Sequence, residues 1–267
     1  MVETEIIRAG RRPAASTFAT RARPAVEIRS LGRFIVLRGS VPVPLREWQS
    51  RKARDLLKLL VVRFGRPAPR DWLLEALWPE QDPSRTRPRL SVALSTVRAV
   101  LDPGHRFETE HYVFATRETI ALDTSEVRVD LEAFLTQAES SLALAGKSGR
   151  YAVERLEVAE GAYTGDFLEE DLYEDWAIGP RERARAVYLS VLRALIELAA
   201  ARGEHDVVGR YALRVIERDP YDESAHLAVV AARTAERAHG EAYRAYRLYL
   251  DRMAEIDVRP APFPRAP

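Results

Sequence analysis

The spacing of hydrophobic and polar positions changes period twice along the chain. In VEIRSLGRFIVLRGSVPVPL, Val26, Ile28, Phe34 and Val36 alternate with polar or outward partners, broken by Gly32 and by Gly39-Ser40, which predicts a small antiparallel sheet. SRKARDLLKLLVVRFG then has helical spacing: a helix starting after Ser50, burying Leu56, Leu57, Leu60 and Val61, and ending at Gly65. APRDWLLEALWP predicts a shorter helix stopped by Pro79. Over residues 82 to 101, Leu90, Leu94, Val97 and Leu101 fall at i, i+4, i+7 and i+11, one narrow buried stripe. FETEHYVFATRETIAL reads as two or three short strands. After Val129 the pattern is almost wholly helical, over 130 to 145, 151 to 163, 180 to 202, 206 to 218, 221 to 237 and 241 to 254.

Opposite the leucine stripe of 82 to 101 lie Arg85, Arg89, Val92, Ser95, Thr96 and Ala99, with Arg87 and Arg98 on the flank. This set is too small and polar for a second core face. A helix anchored on one side, with short hydrogen-bonding side chains and arginines on the other, suits the DNA major groove, where short residues let it sit deep. An ordinary surface helix with solvated arginines fits the same stretch. Pro88 predicts a restart: Asp82 caps a short turn begun by Pro83, and Thr86 caps the main helix with Pro88 in its first turn. Arg85, Arg87 and Arg89 then crowd the positive helix end, a site that favours phosphate.

Sheet, three helices and hairpin, in that order, make a winged helix. The helices that follow carry the turn words RGE at 202 to 204 and HGE at 239 to 241, 37 residues apart, near the ~34 residues of a tetratricopeptide repeat. Asp219-Pro220 separates units as a turn should. The expected fold is therefore mainly α with a small β part: an arm over 1 to 25, a winged helix-turn-helix domain over 26 to 125, an all-α tetratricopeptide-like domain over 126 to 260, and a tail over 261 to 267. Stacked helix pairs offer a concave surface for peptides, partner proteins or self-association; plain helical packing without a groove is the alternative.

Charge sharpens this division. Residues 1 to 125 hold 22 lysines and arginines against 14 carboxylates, a net of +8, whereas 126 to 267 hold 19 against 26, a net of −7. A basic half gains by displacing counterions from phosphate, and an acidic half does not. The arm contributes Arg8, Arg11, Arg12, Arg21 and Arg23. With no cysteine in 267 residues, disulfides, thiolate metal sites and cysteine nucleophiles are excluded. No apolar run approaches a membrane span and no signal-peptide core is present, so a cytoplasmic protein without a membrane is expected.

The words LGRF, SRKARDLLKLL, PRDWLLEALWP and LSVALSTVRAVL resemble the OmpR-type winged helix of bacterial transcriptional activators of the Streptomyces antibiotic regulatory protein class. VDLEAF, YTGDFLEEDLYEDWAIGPRERAR and ERDPYDESAHLAVVAARTAERAHGEAYRAYRLY are similar to the bacterial transcriptional activation domain of the same class, and the matches run in order over roughly 26 to 260. The resemblance implies base contacts from the recognition helix at Arg89, Val92, Ala93, Ser95 and Thr96. It implies backbone contacts at Arg70 and Trp78; Arg51, Lys52, Arg85, Arg87, Arg98 and Arg117 are further candidates for phosphate. Where the family often carries histidine and arginine, this chain has Ala93 and Thr96, so the target sequence is expected to differ. In the wing, Glu108 and Glu110 repel phosphate and leave Arg106, His111 and Arg117 as candidate contacts.

Catalysis has little support. GDFLEEDLYEDW at 165 to 176 concentrates carboxylates beside Phe167, Tyr173 and Trp176, but no histidine joins them; such a strip docks a basic surface, either this chain's own basic half or a subunit of RNA polymerase. His105, His111, His205, His226 and His239 have no metal-ligand spacing, and no phosphate-binding glycine loop is present, so neither cofactor nor metal is expected. The sequence points to a regulator that binds promoter DNA, pairs as a homodimer through its helical domain and recruits RNA polymerase. An adaptor whose winged helix binds protein is the alternative, and DNA affinity falling steeply with salt separates the two.

Overall fold

The computed structural model describes residues 25 to 145 and 150 to 264; the predicted basic arm lies outside them. Strands β1 (Val26–Arg29), β2 (Ile35–Arg38) and β3 (Val41–Pro42) form the expected antiparallel meander. After a 3₁₀ turn at Leu45–Trp48, the Ser50 hydroxyl caps α1 (Arg51–Val61) by accepting from the Ala53 N–H. Next come β4 (Ala68–Pro69), α2 (Arg70–Leu77), α3 (Pro83–Leu101) and the hairpin of β5 (Val113–Ala115) and β6 (Thr119–Leu122). β4 closes a second, three-stranded sheet against β6.

A boundary at 125/126 cuts through a sheet. β7 (Val127–Val129) returns to pair with β1 in parallel, Val26 opposite Val127 and Ile28 opposite Val129. The next residue, Asp130, opens α4 (Asp130–Ala145) with its carboxylate accepting from the Ser30 N–H at 2.8 Å, the Ser30 hydroxyl at 2.7 Å and the Leu31 N–H at 3.0 Å. Helices α5 (Arg150–Ala162), α6 (Asp175–Ala201), α7 (His205–Arg218), α8 (Glu223–Ala235) and α9 (His239–Glu255) follow, and from α6 onward each packs on the next.

The repeat is real, but its register differs from that of the glycine words. Left-handed turn residues Gly203 and Arg237, at φ 70° and 60°, precede α7 and α9, whose first residues His205 and His239 are 34 apart. That is the tetratricopeptide spacing; the glycine of HGE lies inside α9 and does no turning. Beyond α9 the chain folds back: the Ala261 carbonyl accepts from the Tyr246 hydroxyl at 2.9 Å and Phe263 meets the Tyr246 ring edge-on at 5.0 Å, so packing continues past 260 into the expected tail. α6 begins at Asp175 and runs through Pro180, which was expected to start it; the extra turn buries Ala177.

One apolar core runs through both halves, from Ile28, Leu57 and Val97 to Phe134, Phe167 and Leu192. At the junction the backbones meet closely. The Gly32 N–H donates to the Asp166 carbonyl at 2.9 Å and the Leu168 N–H to the Ser30 carbonyl at 2.8 Å. A Cβ on Gly165 would lie 3.0 Å from the Gly32 backbone, while Gly32 itself sits at φ 92°. Beside this seam the Lys58 ammonium of α1, 2% exposed, contacts Asp171 at 2.5 Å and Glu170 at 3.0 Å, and Arg54 reaches Glu170 at 2.8 Å. Arg181 of α6, itself buried, holds that loop from behind, donating to the carbonyls of Phe167 at 2.8 Å, Leu168 at 3.2 Å and Asp171 at 3.0 Å. The acidic strip thus docks on the chain's own basic half.

Two predictions follow from the seam. Lys58→Met should cost about 3 to 5 kcal/mol in denaturant unfolding, because Asp171 is left buried and unpaired. The double variant Lys58→Met/Asp171→Leu should recover most of that loss; no recovery would mean that packing, not the charge pair, is what Lys58 supplies.

Candidate nucleic-acid interface

α3 is a single helix through Pro88. Asp82 caps it by accepting from the Ser84 N–H at 2.8 Å, a bond that holds its carboxyl below the usual carboxylate range and keeps it charged at the positive helix end. Thr86 does not cap. It is buried one turn in, its hydroxyl donating to the Asp82 and Pro83 carbonyls at 3.3 and 3.4 Å. Pro88 lacks the N–H that would reach the Ser84 carbonyl; both residues are exposed, and the helix continues past the missing bond.

The buried side of α3 is wider than the leucine stripe, adding Thr86, Ala93, Thr96 and Val100 to Leu90, Leu94, Val97 and Leu101. Ala93 is 4% and Thr96 6% exposed, and the Thr96 hydroxyl donates back to the Val92 carbonyl at 3.1 Å. Both therefore belong to the core side of α3 and not to its exposed face. That side's extra width turns the exposed face toward Ser91, giving Arg85, Arg89, Ser91, Val92 (67% exposed) and Ser95, with Arg87 beside them. Ser91 was missed in the sequence. Its signal was present: Ser84, Pro88, Ser91 and Ser95 repeat the i, i+4, i+7, i+11 spacing of the leucines on the opposite side.

Around this face the arginines take different places. Arg70, at the start of α2, donates from Nε to the Thr116 carbonyl at 2.9 Å, and its own N–H reaches the Glu118 carbonyl at 2.8 Å, which staples α2 to the wing turn. Arg117 stands exposed in that two-residue turn, closed by Thr116 N–H to Thr119 carbonyl at 2.9 Å. Arg70, Arg87, Ser91 and Arg117 line one open cleft of about 600 Å³ between α2, α3 and the wing, with Asp71 and Glu118 as its carboxylates. Arg87 lies 3.7 Å from Asp71, both well exposed, and Arg89 donates to the Gln81 side chain at 2.9 Å.

Other candidates fall elsewhere. Trp78 ends α2 at 8% exposure, packed within the core. Arg98 bridges inside the domain, donating to the Val113 carbonyl at 2.9 Å with Glu110 at 3.7 Å; burial lowers its pKa from the ordinary arginine value, with Glu110 opposing. Arg51 and Lys52, on the first turn of α1, each lie 3.9 Å from Asp55 and do not line the cleft. Arg106 and His111 sit in the loop that leaves α3, before the hairpin: Arg106 lies 3.8 Å from Asp102, and His111 stacks on Phe107 at 4.1 Å with Glu126 3.6 Å away. Among the described residues no cluster of His, Asp and Glu could hold a metal, and no helix is long and apolar enough to cross a membrane.

The chain thus joins a winged helix, with a polar helix face rimmed by arginines, to a helical repeat. Residues 129 to 266 match the family model described as the bacterial transcriptional activator domain, and the chain belongs to that family of transcription regulators. Regulatory protein AfsR of Streptomyces coelicolor is 38% identical over 76 residues, 26% of this chain and 8% of that protein; the chain thus spans under a tenth of that relative's length. The fold is shared with Mycobacterium tuberculosis EmbR, solved in complex with a low affinity phosphopeptide, at a TM-score of 0.72 and 21% identity, covering 90% of this chain and 63% of that one.

Because Arg98 ties α3 to β5, Arg98→Met should lower stability by about 1 kcal/mol in thermal unfolding, the net worth of one hydrogen bond. Unchanged stability combined with a selective loss of nucleic-acid affinity would return Arg98 to the exposed face.

Proposed function

We propose that the chain is a sequence-specific DNA-binding transcriptional activator that works in the cytoplasm. The observation that carries this reading is the exposed face of α3, short and polar, anchored by a wide apolar back and rimmed on one side by Arg70, Arg87 and Arg117. Residues of this size let a helix approach base edges closely. Arg89, Ser91, Val92 and Ser95 read bases, Arg89 exchanging its bond to Gln81 for a base edge, while Arg70, Arg85, Arg87 and Arg117 hold phosphates and set the register. Arg70 keeps Nη donors for that purpose while its Nε stays on the wing. The helical repeat brings two copies together, so that two reading heads meet two half-sites and the second contact is intramolecular. RNA polymerase is recruited by surfaces beside the promoter, the exposed loop between α2 and α3 among them.

Arg89→Ala and Ser91→Ala should each weaken binding to a retained promoter fragment by about 1 to 3 kcal/mol more than binding to random DNA of equal length. Arg117→Ala should weaken both alike and reduce the slope of log affinity against log salt by about one. Competition binding across a salt series measures both effects. Equal losses on both DNAs for the α3 variants would place those side chains on phosphates, and a flat salt dependence for the unaltered protein would favour a protein-binding winged helix.

A further inference from the structure

A second open cleft, about 680 Å³, lies where the ends of α1 and α2 meet the start of α6, with one wall from each half of the molecule. Trp72 of α2 faces it from the winged helix; Tyr173 and Trp176 face it from the helical domain. Tyr173 is 96% exposed; Leu172, next to it in sequence, and Ile178, in the first turn of α6, are 57% and 46% exposed. An aromatic residue in that position, with aliphatic flanks, contributes nothing to the core and has the composition of an interaction patch.

The charge of the cleft says what it would accept. Glu75, Glu174 and Asp175 line it. Glu174 orients the Trp176 indole by accepting from Nε1 at 2.9 Å, while Glu75 and Asp175 make no ion pair among the described residues. Such a lining repels phosphate, so this cleft does not extend the nucleic-acid interface. It does suit a cation held over an aromatic face and beside a carboxylate. The protein already places a cation over one of these rings: the Arg63 guanidinium lies 5.7 Å from the Trp72 ring centroid, with Nη2 donating to the Pro67 carbonyl at 3.3 Å. Arg63 is thus engaged with its own chain and leaves the outer carboxylates and Tyr173 open.

We propose that this cleft seats an arginine- or lysine-bearing segment of a partner protein. The cation rests against Trp176 with Glu75 and Asp175 in the same cleft lining, and the segment's aliphatic side chains rest on Leu172, Tyr173 and Ile178. A free small cation would not use that apolar flank, and a nucleic acid would be repelled. Since the two walls belong to different halves, the occupant touches the reading head and the helical repeat at once. The inference does not depend on DNA binding.

The test uses the full chain and a capped 14-residue helical peptide with arginines at i and i+4 and leucines at i+3 and i+7, compared with the same peptide carrying glutamates for the arginines. Tryptophan emission reports binding, because Trp48 and Trp78 are buried while Trp72 and Trp176 line the cleft. At about 150 mM salt, where weak charge attraction is screened, the arginine peptide should saturate at least tenfold more tightly than the glutamate peptide. Glu75→Lys/Asp175→Lys should reverse that order, and Tyr173→Ala should weaken the arginine peptide several-fold with unfolding temperature unchanged. Absence of saturable binding, equal affinity for the two peptides, or binding indifferent to the charge reversal would overturn the proposal. So would sedimentation revealing self-association that the reversal abolishes, since the occupant would then be a second copy.

Discussion

An ammonium group at 2% exposure has lost its water, and in this chain the carboxylates that take the water's place come from the other half of the molecule. Lys58 lies on α1, the helix against which α3 packs; Asp171 and Glu170 lie on the loop between α5 and α6 of the helical domain. Arg181 fixes the loop through three of its carbonyls, and Asp130 fixes the strand-to-loop corner of β1 from the first turn of α4. The helical domain is therefore not tethered to the winged helix by a linker. It completes that domain's sheet with β7 and neutralises that domain's buried cation, so α1, the helix on which α3 packs, is held by contacts that span the chain.

This constraint changes the meaning of the division of charge. A basic half followed by an acidic half suggests two independent modules, each able to work alone. Part of the acidic excess is instead consumed within the molecule, at the Lys58 and Arg54 seam, and a fragment ending at residue 125 would lose β7 and expose an unpaired lysine. Asp175, left over from that excess, joins Glu75 of the basic half in lining a surface cleft rather than a seam.

Much of this was legible in the sequence, and the exceptions share a cause. Element types and order follow from local periodicity, and Ser50 declared the start of α1 because a cap is a local device. Pro88 and Pro180 misled because both sit in the second turn of helices whose tertiary anchors outweigh one missing hydrogen bond. Ala93 and Thr96 misled because a helix packed on more than one element buries more than one stripe, and small residues at its margin look the same whether they face a neighbour or water. The pairing of β7 with β1 joins residues about a hundred positions apart, beyond any local pattern. The wing arginines divided for a related reason: sequence placed Arg106, His111 and Arg117 together, but only the hairpin turn, which a local pattern does not locate to the residue, carries Arg117 to the cleft.

Backbone amide exchange on the full chain, with and without a promoter fragment that it retains at moderate salt, tests the account at its centre. The account predicts slowed exchange along the exposed half of α3 from Ser84 to Ser95 and at the wing turn from Thr116 to Thr119, with the loop from Pro103 to His111 and the cleft at Tyr173 unchanged. Protection centred on that loop or on the helical repeat, with α3 unaffected, would contradict it.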